Sequence, residues 1–335
     1  MSSSLSPKFH AFSAARGAGG RPSRRAALGQ WWTTCSSAWS GGLGVTTLPR
    51  PLGPFGPVAC DGTDVWVGAA DSVFRIRASD GKLLEAWSIK KAAGALLVAM
   101  GRVFVAGFGV AGEPGILSMI DPRQSPGAVT AVATNLPTYP FVPAFDGARI
   151  WTANAAGSVS ILTPSAETPW TVTTIEAGFQ LPSGIVFDGS HVWVSDSGPC
   201  VLLKLDARGA VLQTVSVGLR GGSPLPLTFD GSHIIVSNAL AGVHVVRVAD
   251  GTTVAVLDGA HGAPSGAAFD GERLLVIGQG DPSKGLSPTL SVLRTDFTLL
   301  GETDLSGIFP VAAASDGLNF WITVEAADGS KLVRL

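Results

Sequence analysis

One short motif recurs along the chain: an Asp-Gly pair followed by a strand-forming segment that often has tryptophan at its centre. A degraded copy, Met100-Gly101, occupies the one long gap between clear copies. Successive copies lie 39 to 46 residues apart. A period near forty residues, rich in β-branched and aromatic residues, is typical of propeller blades. The motif therefore predicts an all-β, seven-bladed β-propeller, with clear copies at Asp61, Asp146, Asp188, Asp230, Asp270 and Asp316.

The clearest unit, residues 182–218, shows how each copy builds a blade. Asp188-Gly189 predicts a hairpin turn, because glycine adopts positive φ freely and aspartate hydrogen-bonds its own backbone. Further turn residues separate two later apolar segments. The unit therefore predicts a four-stranded antiparallel meander, with strands at 183–187, 191–195, 201–205 and 211–217.

The first two strands of most units are apolar on both faces, so both faces must be covered. In a propeller the neighbouring blades provide that cover. A large residue recurs five places after the Asp, and its recurrence predicts packing between blades rather than stacking on a base or sugar. The residues at this position are Trp66, Trp151, Trp193, Trp321, Ile235 and Leu275.

The two ends of the repeat region predict how the ring closes. The last unit provides only three strands, at 311–314, 320–324 and 331–335. Residues 45–48 lie as far upstream of Asp61 as residues 214–217 lie upstream of Asp230. Residues 44–48 are therefore expected to supply the missing outer strand, which would leave no half-built blade with an exposed edge. A single propeller domain is predicted over residues 44–335.

Composition excludes two classes of partner. The chain carries 23 basic and 25 acidic residues, only 14% charged residues in all, and a net charge of −2. No cluster of basic residues is available to bind nucleic acid, and no basic amphipathic segment indicates binding to a membrane surface. Residues 92–112 are apolar except for Arg102 and long enough to span a bilayer. The repeat register instead predicts two buried strands there, so no membrane span is expected.

Residues 1–43 lie outside the repeats. Ser23-Arg24-Arg25 resembles a twin-arginine export motif, but residues 29–34 are polar where a sustained apolar segment is needed. A disordered extension and a cytoplasmic location are therefore favoured, with export as the alternative.

The three cysteines, Cys35, Cys60 and Cys200, have no metal-ligand spacing. Cys60 takes a position held by phenylalanine in four other units and is predicted to be a core residue.

The repeat units resemble those of NHL and YVTN-type propellers. The resemblance covers residues 44–335 and implies a propeller fold. The family includes lactonases, lyases and binding scaffolds, so the fold alone does not imply a function. The segments that carry the resemblance are Pro182-Ser183-Gly184-Ile185-Val186-Phe187-Asp188-Gly189, Val192-Trp193-Val194-Ser195-Asp196 and Leu202-Leu203-Lys204-Leu205-Asp206.

Sites in propellers usually lie at the mouth of the central channel, so the mouth is where chemistry is expected. None of the predicted inner strands carries a charged residue or a histidine, which disfavours lactonase-type metal sites. The chain also resembles the streptogramin lyases, seven-bladed propellers that use a mouth histidine and magnesium. That resemblance implies His261 as a general base with a divalent metal near Asp196, Asp281 or Glu325. The alternative is that His261 is a solvent-exposed loop residue among small neighbours.

Polar and aromatic residues that break the repeat are the better candidates for ligand binding. The loop spanning 278–289 is the longest between second and third strands, and extra length on one face commonly marks a binding surface. Asp196 shares its register position with Asn154 and Asn238, and such residues more often hydrogen-bond a turn. The candidate binding residues are Tyr139, Asp196, Arg220, Gln279, Asp281 and Glu325.

These patterns favour a non-enzymatic scaffold that binds a protein or a small molecule at the channel mouth and needs no cofactor. The alternative function is a metal-assisted lyase or hydrolase that uses His261. No Ser-His-Asp arrangement, phosphate-binding glycine loop or paired-carboxylate motif is recognised in the sequence.

Overall fold

The computed structural model describes residues 45–52, 56–107, 113–127, 129–218, 226–257, 262–305 and 307–335. These residues form seven four-stranded antiparallel sheets and one short 3₁₀ turn. The prediction of an all-β protein with seven blades is confirmed.

Strand β1 precedes the first complete blade and pairs with the last one. The first three blades then follow in chain order, each a meander from its innermost to its outermost strand. The strands are β1 (Val45–Thr47); β2 (Val58–Cys60), β3 (Asp64–Gly68), β4 (Ser72–Arg77) and β5 (Leu83–Ser88) in blade 1; β6 (Ala93–Ala99), β7 (Arg102–Gly107), β8 (Gly115–Ile120) and β9 (Val129–Leu136) in blade 2; β10 (Pro140–Phe145), β11 (Ile150–Asn154), β12 (Ser158–Thr163) and β13 (Thr171–Ile175) in blade 3.

The next three blades repeat this order, and blade 7 takes its outer strand from β1. The 3₁₀ turn Pro282–Lys284 lies between the second and third strands of blade 6. The strands are β14 (Pro182–Phe187), β15 (Val192–Asp196), β16 (Val201–Leu205) and β17 (Val211–Ser216) in blade 4; β18 (Leu227–Phe229), β19 (His233–Asn238), β20 (Gly242–Arg247) and β21 (Thr253–Leu257) in blade 5; β22 (Pro264–Phe269), β23 (Arg273–Gly278), β24 (Thr289–Arg294) and β25 (Leu299–Asp304) in blade 6; β26 (Ile308–Ser315), β27 (Phe320–Ala326) and β28 (Gly329–Arg334) in blade 7.

The inner strands pack in a closed cycle. Each inner strand contacts the inner strand of the next blade, and β26 of blade 7 contacts β2 of blade 1. The order of contacts is β2, β6, β10, β14, β18, β22, β26 and back to β2. This cycle is the ring of a propeller, with the inner strands around its axis.

Ring closure takes the predicted form. β1 pairs antiparallel with β28, with Val45 opposite Val333 and Thr47 opposite Lys331. Beyond the strand, the Leu48 amide donates to the Ser330 carbonyl at 3.0 Å. Because β1 comes from before blade 1, it joins the beginning of the repeat region to its last strand.

The Asp of the repeat fixes its hairpin and the neighbouring tryptophan together. At Asp188, Oδ1 accepts from the amides of Ser190 and His191, each at 2.7 Å. Its Oδ2 accepts from the Trp193 indole Nε1 at 2.7 Å. The same indole-to-carboxylate bond recurs, at 2.7–2.8 Å, in the pairs Asp61–Trp66, Asp146–Trp151 and Asp316–Trp321.

Where the tryptophan is absent, another group takes its place on the carboxylate. His233 Nδ1 lies 3.0 Å from Asp230 Oδ2 in blade 5. In blade 6, Arg273 Nε donates to Asp270 Oδ2 at 2.7 Å. The degraded copy in blade 2 keeps its turn without an Asp, with φ of +53° at Met100 and +66° at Gly101.

The tryptophans are fully buried, and each packs in a cluster with residues of the next blade. Trp321 of blade 7, for example, packs in one cluster with Val65 and Val67 of blade 1. The prediction of inter-blade packing is therefore confirmed. Each indole also has a cation 5.2–5.7 Å from its ring centroid, a favourable arrangement. The cation–ring pairs are Arg75–Trp66, Arg149–Trp151, Lys204–Trp193 and Arg334–Trp321.

Two further predictions concern apolar residues. The described part of residues 92–112 forms β6 and β7. No helix within the described ranges has the length and apolar character that crossing a membrane requires. Cys60 is only partly buried, at the edge of a core cluster, and its thiol is free. Burial, together with the nearby carboxylates of Asp316 and Asp61, raises the pKa of this thiol.

Candidate functional site

The two faces of the ring carry different connections. Each inner strand ends at an Asp-Gly hairpin or its degraded copy, on what we call the hairpin face. The turns between second and third strands, and the connections that enter each inner strand, lie on the opposite face, the mouth face. No described inner-strand residue is charged or a histidine, as predicted. Ionisable groups at the mouth must therefore come from the second strands and the loops.

A proline lies at or near the mouth end of four inner strands. In each of these strands the pairing register shifts directly after the proline. Proline fits such a position because it cannot donate a hydrogen bond, and bulges redirect the residues around them. The four prolines are Pro140, Pro182, Pro264 and Pro310.

The residue directly before each proline lies at the mouth, and three of the four are large: Tyr139, Leu181 and Phe309. Phe309 is 50% exposed, and Leu181 is also exposed. Tyr139 is half-buried and has φ of +55°, which is uncommon for a bulky residue. Its carbonyl accepts from the Ala155 amide at 3.0 Å, so the strained residue is tied to the next turn of the same blade.

Asp196 points into the protein and not toward a ligand space. Its carboxylate is fully buried and accepts from the amides of Gln180 at 2.7 Å and Leu181 at 2.8 Å. The Gly198 amide donates to it at 3.2 Å. Asp196 therefore joins two connections of blade 4, and a direct binding role for it stays a prediction.

The two asparagines at the same register position are also engaged internally. Asn154 Nδ2 donates to the hydroxyls of Ser158 and Ser160 at 3.2 and 2.9 Å. Asn238 Nδ2 donates to the Val217 carbonyl at 3.2 Å. Only Asn238 also bonds the turn between the second and third strands, as predicted, since its Oδ1 accepts from the Leu240 amide at 3.0 Å.

The long loop of blade 6 holds two of the predicted residues close together. Asp281 caps the 3₁₀ turn, accepting from the Ser283 amide at 3.1 Å and hydroxyl at 2.6 Å. Lys284 Nζ lies 3.0 Å from its other oxygen. Hydrogen bonds from Ser283 and Lys284 hold the pKa of Asp281 below its ordinary value. Asp281 is thus engaged within its loop, whereas Gln279 is exposed.

Glu325 lies near the mouth end of β27, half-buried. It is paired across the sheet with Phe309 on one side and Ser330 on the other. The Ser330 hydroxyl lies 2.8 and 2.9 Å from its two carboxylate oxygens. The same hydroxyl accepts from the Leu52 amide at 3.0 Å, so the segment after β1 helps to position Glu325.

Blades 1 and 2 contribute paired charges to the mouth face. Arg50 bonds Asp71 at 2.9 Å, and Lys91 bonds Glu113 at 2.9 Å. Exposed pairs of this kind contribute little to stability. They make this side of the mouth polar, whereas blades 4 and 5 expose the apolar residues Leu181 and Leu240.

Two of the predicted site residues, His261 and Arg220, lie outside the described residues, so their roles stay predictions. Among the residues that the structure does describe, no group of three or more His, Cys, Asp or Glu side chains could hold a metal ion.

Sequence analysis missed Phe309 and Leu181 as residues of the mouth. Both occupy the position seven places before the Asp of their repeat, as Tyr139 does. The repeat register could have identified them. The position is alanine in blades 2 and 6, whereas three other blades have a large apolar or aromatic residue there.

Comparison with known proteins supports the fold and leaves the family open. No family model matches the chain, and no curated protein matches it in sequence. A chain in the crystal structure of the mitotic checkpoint complex is similar, with a TM-score of 0.68 and 12% identity over 88% of this chain and 94% of that chain. A streptogramin B lyase structure has a TM-score of 0.66 and 14% identity over 87% of this chain and 97% of that chain. Similarity at such low identity establishes a shared β-propeller fold and nothing finer.

Proposed function

We propose that this protein is a non-enzymatic binding scaffold that holds a protein or small-molecule ligand on its mouth face and needs no cofactor. On the strength of its repeat motif, we also place it among NHL and YVTN-type propellers. The observation that carries the binding proposal is the set of large apolar and aromatic side chains directly before the inner-strand prolines, with Phe309 half exposed at the channel mouth.

Exposure at this position is informative because the rest of the blade is so well buried. The Trp and β-branched residues of the second strands are almost completely buried between blades. An apolar side chain whose backbone is held in a strand or tight connection loses little further conformational entropy when a ligand covers it. Aromatic anchors in such positions commonly provide much of the binding energy.

The engaged polar groups support binding over catalysis. Asp196 accepts three backbone amides, and Asp281 is held by Ser283 and Lys284. Both carboxylates make structural hydrogen bonds, and these bonds would have to break before either carboxylate could act as a general base or a metal ligand. The similar chain of the mitotic checkpoint complex belongs to a protein assembly, which by analogy of fold is consistent with a protein ligand.

The test is a selection for ligands followed by mapping of the face that binds them. The full chain is presented to a phage-displayed random peptide library and, separately, to a small-molecule library read by thermal shift, since a ligand of the native state raises the midpoint. Each hit is then measured by calorimetry against Leu240→Glu and Phe309→Ala on the mouth face. Leu318→Glu serves as the matched control, because Leu318 is an exposed leucine on the hairpin face, 68% exposed against 48% for Leu240.

We expect at least one mouth variant to weaken the binding of a genuine ligand about tenfold or more, because Leu240→Glu places a charge in an apolar contact and Phe309→Ala removes such a contact. Leu318→Glu should change the affinity less than about twofold. Ligands that bind all variants alike, or that Leu318→Glu alone releases, would contradict the proposal. A small-molecule hit that the protein converts to product would favour an enzyme instead.

A further inference from the structure

Phe309 and Glu325 form an adjacent pair at the channel mouth. They lie directly opposite each other in the antiparallel pairing of β26 and β27. Directly opposite residues place their side chains on the same face of a sheet, with Cβ atoms about 4.5–5.5 Å apart. An exposed aromatic ring and a carboxylate are thus held side by side on two strands of one rigid blade.

The carboxylate of this pair is fixed in place. The Ser330 hydroxyl, which is itself buried, donates to it and in turn accepts from the Leu52 amide. The Ser330 hydroxyl thus orients Glu325 and carries no charge itself. Among the described residues, no basic side chain forms an ion pair with Glu325.

Other carboxylates on the mouth face differ from Glu325. Four of them face a basic side chain at 2.7–3.0 Å, in the pairs Asp71–Arg50, Glu113–Lys91, Asp281–Lys284 and Asp328–Lys331. Glu176, which also has no ion-pair partner in the described part of the chain, is exposed just after the outer strand of blade 3. Of the described carboxylates on this face, only Glu325 lacks an ion-pair partner and also has a fixed orientation and an exposed aromatic neighbour.

We propose that Phe309 and Glu325 form a binding site for a cationic group, a protonated amine or a guanidinium, of the ligand that the mouth face holds. The inference rests on the proposed binding function and names the chemistry of its ligand. A carboxylate bonds such a cation directly, and the negative face of an aromatic ring attracts it further. A lysine or arginine side chain of a protein and a small organic amine present the same group, so the test compares both sources.

The probes are capped tripeptides, acetyl-Gly-X-Gly-amide, in which X is Arg, Lys, Glu or norleucine. Binding to the full chain is followed by the backbone amide shifts of residues 309, 325 and 330 in NMR spectra. Saturable shifts are expected with the Arg and Lys peptides, decreasing as salt is added, and none with the Glu and norleucine peptides. Methylguanidinium chloride alone is the small-molecule arm: equal affinity would indicate that the cation suffices, and tighter peptide binding would indicate a protein source.

Three variants test the assignment. Glu325→Gln keeps an oxygen acceptor for the Ser330 hydroxyl but removes the charge, and should weaken the Arg peptide about tenfold. Phe309→Leu keeps an apolar side chain but removes the ring, and should weaken it about threefold. Glu176→Gln removes an unpaired carboxylate from the same face and should leave the affinity unchanged. Because Phe309 is exposed, its variant tests the site even if Glu325→Gln reduces folding.

The inference is overturned if cationic and anionic peptides shift the same signals alike, or if Glu325→Gln binds the Arg peptide as tightly as the original chain. This failure is distinguishable from failure of the binding function itself. Neutral or anionic ligands that Leu240→Glu or Phe309→Ala releases would uphold the mouth as a binding face and reject only its preference for cations.

Discussion

Removing the closing strand provides the sharpest test of the architecture. A chain that lacks residues 1–42 keeps β1, whereas a chain that lacks residues 1–52 loses β1 and the segment that follows it. The two chains differ by ten residues only. Any difference in stability between them therefore reports what those ten residues contribute to the closed ring.

The magnitude follows from the contacts of those residues. Leu48 and Leu52 are only 6% and 8% exposed, in a core cluster with Trp321 and Leu332. Burying each leucine contributes about 1.5–3 kcal/mol. The hydrogen bonds to Ser330 from Leu48 and Leu52, and the Thr46 hydroxyl bond to the Gly81 carbonyl at 2.8 Å, contribute about 1 kcal/mol each. The total is about 6–9 kcal/mol, a large part of the stability of an ordinary domain.

The assay is thermal unfolding followed by circular dichroism at equal protein concentration. Deleting residues 1–42 should shift the midpoint by about 1 °C or less, and deleting residues 1–52 should lower it by roughly 10 °C or more. Leu52→Ala in the full chain is the single-residue companion and should cost about 2–5 kcal/mol. Equal midpoints for the two deletions would refute the closure argument.

Three further predictions follow from other contacts. Trp193→Phe keeps a buried ring but removes the donor to Asp188, so urea unfolding should show a loss of about 1–3 kcal/mol; an unchanged free energy of unfolding would mean that this bond contributes nothing. Burial alone raises the pKa of Asp146 and Asp316, but hydrogen bonds, first from their tryptophans, outweigh it and hold both pKa values below the ordinary value. Their contribution to stability is therefore full above the unfolded pKa of about 3.9 and is lost as pH falls through the lower folded value, so the melting midpoint should fall steeply below about pH 4, and less so in a D146N/D316N double variant. Excess magnesium or zinc should leave the melting midpoint unchanged, whereas a rise that His261→Ala abolishes would favour the lyase alternative.

The fold could be predicted from the sequence because it is repeated seven times. A single Trp193 has many explanations, but tryptophan at one register position in four units has few, and packing between blades requires such a residue. The closing strand was also predictable, since residues 45–48 keep the spacing of an outer strand. What repetition could not show was the bond from each tryptophan to its Asp, because the spacing alone does not give the direction of a side chain.

The candidate site could be predicted only in part, because its residues break the repeat. Asp196 looked available in the sequence, yet the two connections of blade 4 need an acceptor for three amides and take both of its oxygens. Phe309 lies before the predicted strand, which begins at residue 311, and no sequence pattern assigned it a role. Its exposure depends on the loops around it and on the extension of β26 beyond its proline, and neither can be read from composition or periodicity.

The pairing of β1 with β28 has a consequence for how the molecule is made. β1 is synthesised before the seven blades, and its partner β28 is synthesised after all the other described strands. Until then the earlier blades can pack against one another, but Leu48 and Leu52 cannot be buried, because the residues of blade 7 that they pack against are not yet present. The pairing of β1 with β28 closes the ring, and it joins two strands that the other blades separate along the chain. Contacts between such distant segments form slowly because closing a long loop costs conformational entropy.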